Sequence, residues 1–382
     1  MTFEDIINKK KKDWGANIMD GAHAPRGNKI PLSSPLVNHS LYGGIPRGKI
    51  TEFYGNPGSG KSTTCIDVCK NAKIQFLDEF NKKVEALRDK ASSGDKQAKI
   101  DLEDTIDLGP KKVFYLDLEH SFDDEWSTTL GISADAIEIM QPPDVCGEDI
   151  LNMILEMIET GEVGLIVLDS VPSLIPKAEL DKQLGERTVA SLAGLLTVFC
   201  RKVIPLLTRY DCTLLVINQI RDNMDNPYVV NTPGGKALKF YACLRIEFRQ
   251  GNPVDMFGNE LPMNTEDPAG YIIKTKITKQ KSAPYNRKNA SYFLMCTRGI
   301  VPMFDYAQLA IKRYGIIKKS GGWFTMCNPS TGEILEHPDG RPIKINGLAK
   351  VYQYLEDNPD YYESLKKFIT DDISGVDDTP SL

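Results

Sequence analysis

The stretch "GNPGSGKS", residues 55–62, decides the fold of this 382-residue chain. It follows the run "KITEFY" and opens a helical pattern, so it matches G-x-x-x-x-G-K-[ST] in the strand–loop–helix context that the motif requires. Its glycines let backbone N–H groups turn toward phosphate oxygens, and the helix N-terminus adds partial positive charge. The predicted nucleotide-binding residues are Gly55, Asn56, Pro57, Gly58, Ser59, Gly60, Lys61, Ser62 and Thr63.

The chemistry of the motif requires partners, and polar residues at later strand ends supply them. Lys61 is expected to pair with the β and γ phosphates and Ser62 to ligate Mg²⁺. Asp169, at the end of "LIVLDS", is expected to hold the same Mg²⁺. Glu119, in "FYLDLEH", can orient and polarise the attacking water, and the Gln219 amide can sense the γ-phosphate. Together these residues predict a nucleoside triphosphatase site.

Six β-like apolar runs recur, and several lack alternation. They read "KITEFYG", "KVFYLDLE", "VGLIVLDS", "CTLLVINQ", "ACLRIEFR" and "YIIKTKI". Continuous apolar runs are typical of strands buried on both faces of a sheet. Helical patterns at 61–90 and 148–160 separate the earlier runs, whereas the later runs lie closer together. The pattern predicts an α/β protein with a mostly parallel sheet, helices on both sides and an antiparallel extension at one edge.

The chain divides into several predicted parts. Residues 1–40 are expected to form an N-terminal oligomerisation helix and a Gly-, Pro- and Ser-rich linker, and residues 41–297 the core. Within the core, residues 73–107 read as an inserted helical hairpin, either a surface elaboration or a partner-binding element. A small α+β C-terminal domain is expected over 298–370, followed by an acidic tail at 371–382.

Composition and charge distribution indicate whether the protein is secreted, membrane-bound or cytoplasmic. The formal net charge is −6, yet eleven Lys and Arg face a single Asp between residues 271 and 320. No apolar run reaches the roughly 18 residues of a membrane span, and the N-terminus lacks the apolar segment of a secretory signal. Eight scattered cysteines suit buried free thiols, and Cys65 with Cys69 lacks the further ligands of a zinc site. We therefore expect a cytoplasmic protein with no membrane partner.

Six ordered segments resemble the bacterial RecA recombinases and their phage-encoded relatives such as UvsX. These segments are "GNPGSGKS", "YLDLEHSFD", "LIVLDSVPSL", "VINQIRDN", "TPGGKALKFYA" and "KQKSAPY". The resemblance covers residues 41–300, and in less detail 301–370. It implies a RecA-like P-loop NTPase core and a DNA-dependent ATPase that uses ATP and Mg²⁺. It further implies helical filaments on single-stranded DNA, strand exchange with homologous duplex DNA, and help from loader or single-strand-binding proteins.

The resemblance also assigns residues around the nucleotide. Glu119 becomes the residue that activates water, and Gln219 the γ-phosphate sensor that relays nucleotide state to the following loop. Trp126 falls where the family has an aromatic that stacks on adenine, with Asp123 near the base. Indole offers a large π face for such stacking, although a partly buried Trp that only packs is the alternative.

The family's two DNA-contacting loops correspond here to residues 177–192 and 220–236. The residues that the resemblance places against DNA are Arg187, Val189, Arg221, Met224, Gly234, Gly235 and Lys236. The basic ones are phosphate partners, the glycines allow close backbone approach, and Val189 and Met224 align with apolar wedges between base triplets. This sequence departs from the family in carrying Glu186, Asp222 and Asp225 in these loops.

Lys279 and Lys281 are spaced i and i+2, so they point the same way from an extended segment. The resemblance makes them reach across a subunit interface to the γ-phosphate of a neighbour's ATP, and composition alone equally allows a solvated basic strand. Phe240 matches an interface aromatic of the family. Head-to-tail contacts that do not close give an open filament. The C-terminal domain is expected to gather duplex DNA, with the acidic tail competing for that surface.

Two other functions fit parts of the sequence. A ring-forming RecA-fold helicase also hydrolyses ATP on DNA, but "NQIR", "KQKSAPY" and the N-terminal helix favour the filament. A non-catalytic DNA-binding scaffold would not need the complete set of Lys61, Ser62, Glu119 and Asp169.

Overall fold

The structure is a computed structural model, and it describes residues 4–6, 8–9, 28–132, 136–180, 191–221 and 231–374. Residues 4–6 and 8–9 are helical, and the rest of the expected N-terminal oligomerisation helix lies outside the described residues. The same holds for residues 375–382 of the acidic tail. Among the described residues, no helix is both long and apolar enough to cross a membrane.

A large mixed sheet forms the centre of the molecule. The strands in chain order are β1 (Lys29–Ile30), β2 (Ile45–Pro46), β3 (Ile50–Gly55), β4 (Lys112–Asp117), β5 (Glu138–Met140), β6 (Val163–Asp169), β7 (Thr213–Gln219), β8 (Leu244–Val254), β9 (Gly270–Gln280), β10 (Asn289–Met295) and β11 (Gly299–Ile300). In the described residues the central sheet has the order β11-β10-β9-β8-β3-β7-β6-β4-β5. Strands β8 to β5 of that order are parallel, and β9, β10 and β11 extend the sheet antiparallel. The predicted α/β class and antiparallel edge are confirmed.

Helices cover both faces of the sheet. Those of the core are α1 (Pro35–Leu41), α2 (Lys61–Ser92), α3 (Lys96–Leu108), α4 (Asp124–Thr129), α5 (Gly147–Glu159), α6 (Lys177–Leu180), α7 (Ser191–Tyr210) and α8 (Ala237–Tyr241). One apolar core joins α2 to odd-numbered β3 and β7 residues such as Phe53 and Ile217. The other joins α5 and α7 to even-numbered neighbours such as Ile50 and Val216. The period of two in each strand thus assigns its side chains to opposite cores.

The phosphate-loop helix itself forms half of the inserted hairpin. Helix α2 runs unbroken for 32 residues, and α3 returns beside it. Asp95 ends the turn between them, because its carboxylate accepts from the N–H groups of Gln97 and Ala98 and so caps α3. Several apolar side chains on the two helices are exposed: Ile74, Leu77, Ile100, Ile106 and Leu108.

The segment before residue 41 differs from the expected linker. Ile30, Leu32 and Val37 are buried in the core that contains α2. Ser33 donates to Asp67 of α2, and Ser34 caps α1 while donating to Asp305. Ser33 and Ser34, which the sequence suggests as linker residues, therefore serve here as hydrogen-bond donors, and Ser34 also caps a helix. Residues 28–41 belong to the packed structure.

A smaller α+β unit completes the chain. It contains α9 (Pro302–Leu309), β12 (Ile317–Ser320), β13 (Trp323–Met326), β14 (Lys344–Asn346), α10 (Leu348–Asp357) and α11 (Pro359–Ser374). Its three strands form an antiparallel sheet. Its apolar core includes Val254, Ile272 and Met295 of the main sheet, so the unit packs onto the antiparallel extension. Helix α11 ends beyond residue 370, where the sequence placed the start of the acidic tail.

Candidate functional site

The phosphate-binding loop connects β3 to α2, as predicted. Gly58 and Gly60 have φ values of 72° and 85°, a backbone region that favours glycine. A Cβ on Gly55 would lie 2.3 Å from the carbonyl oxygen of Phe248, so only glycine fits there. Ser59 is 2% exposed and its N–H donates to the Asn56 carbonyl at 3.3 Å. The loop therefore has the compact backbone that a phosphate cradle needs.

Lys61 and Ser62 begin α2 and face Asp169 at the end of β6. The Lys61 ammonium donates to the Asn56 carbonyl at 2.8 Å, and burial lowers its pKa while Asp169 and Glu119 oppose that shift. Ser62 hydrogen-bonds Asp169, which also accepts from the Tyr115 hydroxyl at 2.6 Å. Burial raises the pKa of the Asp169 carboxyl, with nearby carboxylates adding to the shift.

The Glu119 carboxylate is the meeting point of a second cluster. The Gln219 amide donates to Glu119 Oε1 at 3.0 Å, and the Ser170 hydroxyl donates to the same oxygen. Fully buried Asp117 orders the turn that follows β4, because its carboxylate accepts from the N–H groups of Glu119 at 3.2 Å and Ser121 at 2.8 Å. The strand ends thus bring Glu119 and Gln219 into contact across 100 residues of sequence.

Trp126 lies beside the start of α2. Its indole N–H is 3.4 Å from the Thr63 hydroxyl, and its ring is partly buried against the core that contains α2. Asp123 caps α4 by accepting from the Trp126 N–H at 2.9 Å, which fixes the tryptophan relative to the loop. The structure therefore brings Trp126 to the phosphate-binding loop, and Asp123 next to Trp126.

The two candidate DNA loops are only partly within the described residues. Arg187, Val189 and Met224 lie outside the described residues, so their placement stays a prediction. The Arg221 N–H donates to the Asn231 carbonyl at 2.9 Å and closes the second loop at its base.

Both glycines of "PGGK" have positive φ and lie against α7. A Cβ on Gly234 would be 2.3 Å from Leu196 Cδ1, and one on Gly235 would be 2.8 Å from Ala193 Cβ. Close approach to α7 is therefore a structural reason for both glycines beside the expected DNA contact. The next residue, Lys236, is exposed and precedes α8.

Lys279 and Lys281 lie away from their own phosphate loop. Lys279 on β9 is paired with Arg245 on β8. Gly55, at the start of the phosphate loop, is paired with Phe248, three residues further along β8. That offset is about 10 Å along the sheet, and two strand spacings add to it. The Lys279 ammonium donates to the Lys239 and Phe240 carbonyls at 2.6 and 2.8 Å, and that of Lys281 to Phe240 at 3.2 Å.

The donor set fits ATP with Mg²⁺. Hard oxygen ligands suit Mg²⁺, which commonly takes one or two protein carboxylates, and Ser62 with Asp169 supplies a hydroxyl and a carboxylate in contact. The glycine cradle and Lys61 would hold the phosphates. Within the described parts of the chain, no cluster of three His, Cys, Asp or Glu side chains offers another metal site.

Three residues of the site were missed in the sequence. Tyr115 and Asp117 alternate along β4 and read as ordinary strand positions, although a buried Asp at a strand end is itself a signal of a polar partner. Ser170 follows Asp169 directly, and its hydroxyl contacts Glu119. All eight cysteines are free thiols, seven of them buried and Cys296 exposed.

A phosphate loop, a Ser–Asp pair and a Glu–Gln pair at one edge of a parallel sheet define a P-loop nucleoside triphosphatase. A profile of the RecA N-terminal domain matches residues 89–301. Protein RecA of Ruminococcus albus is 30% identical over 351 residues, which cover 88% of this chain and 77% of the relative. Protein RecA of Thermus aquaticus is 28% identical and covers 96% of this chain and 92% of its own. The chain belongs to the RecA family.

The protein is thus a RecA-type recombinase and a DNA-dependent ATPase. It uses ATP with Mg²⁺, binds DNA and assembles into filaments. The predictions of family, fold class and activity are confirmed. The roles of individual site residues and the domain boundaries stay predictions.

Proposed function

We propose that each complete ATPase site is shared between two adjacent protomers. One protomer contributes the phosphate loop, Asp169, Glu119 and Gln219, and its neighbour contributes Lys279 and Lys281. The observation that supports this proposal is the position of the two lysines on β9. Lys279 is three residues away from the level of Gly55 along the sheet, and β8 lies between the two strands. Bound Mg²⁺ supplies positive charge beside the phosphates, where Ser62 and Asp169 would hold it.

Within the shared site, each side chain has a distinct task. Glu119 orients the attacking water and accepts its proton, and Ser170 helps to orient that carboxylate. Gln219 donates to Glu119 at 3.0 Å and is placed to exchange that partner for a γ-phosphate oxygen. Lys61 and the neighbour's two lysines stabilise the negative charge of the transition state.

The two DNA loops respond when Gln219 exchanges Glu119 for a γ-phosphate oxygen, because the loops follow β6 and β7, the strands that end at the nucleotide site. Gln219 is two residues before Arg221, whose N–H closes the second loop. We propose that Arg187, Arg221 and Lys236 bind the phosphates of single-stranded DNA, with Gly234 and Gly235 near its backbone and Val189 and Met224 between bases. Homology is then tested by base pairing with duplex DNA, which the basic surface near the C-terminal unit holds.

Two further expectations belong to this proposal. Loader or single-strand-binding proteins are expected to assist filament formation on DNA. The eight free thiols support action in the reducing cytoplasm.

ATP hydrolysis by the purified protein, measured with and without single-stranded DNA over a range of protein concentrations, tests the shared site. We expect DNA stimulation that rises cooperatively with concentration, and open helical filaments in negative-stain micrographs of the same samples. Lys61→Ala should lose both turnover and strand exchange. Full turnover at concentrations where only monomers exist would contradict the shared site, and closed rings would favour a helicase.

A further inference from the structure

A cluster of polar side chains interrupts the apolar face of the sheet that α7 covers. We define the Glu52 network as Glu52 on β3, Asn218 on β7, and Arg245 on β8. Glu52 and Asn218 are 0% exposed and Arg245 is 9% exposed. Neighbouring positions on that face, such as Ile50 and Val216, are apolar. A buried carboxylate is costly unless it is paired, so packing alone does not account for Glu52.

Each Glu52 oxygen binds a donor from a different neighbouring strand. Oε1 accepts from the Asn218 amide at 3.0 Å, and Oε2 accepts from the Arg245 guanidinium. Backbone ladders already pair β3 with β7 and with β8. The carboxylate adds a side-chain link across all three strands. Arg245 is level with Glu52, and Asn218 lies two residues nearer the C-terminal ends of the strands.

One end of the network reaches the γ-phosphate sensor and the second DNA loop. The Asn218 amide also donates to the Pro233 carbonyl at 3.2 Å, one residue before Gly234. The Asn218 side-chain oxygen Oδ1 accepts from the backbone N–H of Gln219 at 2.9 Å. A displacement of Gln219 is therefore coupled through Asn218 to the end of the loop.

The other end reaches the strand that carries the two lysines. Arg245 is paired with Lys279 across the β8–β9 ladder, and the Thr278 hydroxyl donates to the Arg245 carbonyl at 3.3 Å. The Arg245 guanidinium lies 4.6 Å from the centroid of the Tyr54 ring, and the Tyr54 hydroxyl donates to Thr278 at 2.9 Å. The side-chain contacts thus continue from Glu52 to the residue before Lys279.

We propose that Glu52 is a positioning residue for ATP hydrolysis, holding Asn218 and Arg245 so that the γ-phosphate sensor, the end of the second DNA loop and Lys279 share one arrangement. Glu52 does not reach the nucleotide itself, and acts through its two partners. This inference rests on the proposed function of Lys279 and of the second loop.

The test compares Glu52→Gln with the double variant Glu52→Gln/Arg245→Gln. Glu52→Gln keeps the shape but leaves the Arg245 charge unpaired. We expect ATP affinity by calorimetric titration to stay within about threefold of wild type. DNA-stimulated kcat should fall at least tenfold, and its cooperativity with protein concentration should weaken.

The double variant separates positioning from folding, because it removes the unpaired charge. We expect it to recover most of the wild-type melting temperature while its DNA-stimulated kcat stays low. Recovery of turnover together with stability would overturn the positioning role. Arg47→Gln is the matched control, since Arg47 is a buried arginine paired with Glu79 and Asp211. It should lower the melting temperature without the selective loss of turnover.

Lys279→Ala, measured in parallel, distinguishes the two proposals. Wild-type turnover in Lys279→Ala would contradict the shared site itself. Lost turnover in Lys279→Ala together with wild-type turnover and cooperativity in Glu52→Gln would contradict only the positioning role of Glu52.

Discussion

At the scale of single residues, the site depends on carboxylates whose surroundings differ. Asp169 is buried and bound by Ser62 and Tyr115, which suits a fixed partner of a cation. Glu119 is exposed and bound by Ser170 and Gln219, which suits a residue that exchanges partners with water and phosphate. Environment, more than residue type, therefore separates their proposed tasks.

Replacing Glu119 with Gln removes the proton acceptor and keeps the shape of the side chain. We expect kcat for ATP hydrolysis to fall by about 10²-fold or more, in the range of general base catalysis. ATP affinity should change little. Steady-state hydrolysis with single-stranded DNA measures the first and calorimetry the second. Glu125→Gln, an exposed carboxylate on α4, is the control, and equal losses in both variants would refute the assignment.

The ionisation of Lys279 predicts a pH dependence. Burial, with the charges of Lys281 and Arg245, lowers the pKa of Lys279 to about 8. A lysine is charged below its pKa, so the charge offered to a neighbour's phosphate is lost as pH rises through about 8. DNA-stimulated kcat should therefore fall between about pH 7 and pH 9.

Lys279→Arg keeps its charge over this range, so it should flatten the decline in DNA-stimulated kcat. The measurement is the pH profile of kcat at constant ionic strength. Lys202→Arg, at an exposed position of α7, should retain the wild-type profile. An unchanged profile in Lys279→Arg would show that another group controls the decline.

At the scale of elements, α7 is the support on which the second loop ends. Gly234 and Gly235 lie against Leu196 and Ala193 of this helix. The first loop leads directly into the same helix. One helix therefore supports both proposed DNA-binding loops.

Two glycines test this support. Gly234→Ala places a methyl group 2.3 Å from Leu196 at a φ of 84°, so it should destabilise the fold by about 1–2 kcal/mol and weaken binding of single-stranded DNA. Gly194→Ala, in open space on α7, should stabilise the protein by about 0.5–1 kcal/mol. Urea unfolding and fluorescence anisotropy with labelled DNA measure both effects. Equal stability of the two variants would exclude the close contact.

The sequence predicts an element well when the interactions that form it join residues close together in the chain. The phosphate loop was predicted because its glycines and Lys61 act within one turn of chain. The Glu52 network was not, because Glu52 lies in an apolar strand and its partners are 166 and 193 residues away. Ser34 was read as part of a linker because its partner Asp305 is 271 residues distant.

At the scale of the whole molecule, the protomer presents an aromatic side chain that it does not cover. Phe240 is 67% exposed at the C-terminal end of α8, beside Lys279 and Lys281. The lysine ammonium groups fix the carbonyls at this end of the helix. An exposed aromatic beside a proposed trans-acting pair fits a contact between protomers.

Phe240→Asp should prevent filament formation while leaving the protomer folded, since surface changes usually alter stability by no more than about 0.5 kcal/mol. Sedimentation with ATP and single-stranded DNA, together with electron micrographs, measures assembly, and the melting temperature reports folding. Trp323→Asp is the control, because Trp323 is 50% exposed on the C-terminal unit. Normal filaments from Phe240→Asp would remove Phe240 from the interface.

The placement of Lys279 and Lys281 far from their own phosphate loop determines how many complete ATPase sites a filament contains. On the proposed arrangement every protomer carries two unlike half-sites, and a row of n protomers contains n − 1 whole ones. A solitary protomer has none, and the terminal subunits of a row each leave one half unmatched. The average rate of ATP hydrolysis per subunit therefore rises with filament length toward a plateau. A long filament leaves a smaller fraction of its half-sites unmatched than many short filaments do.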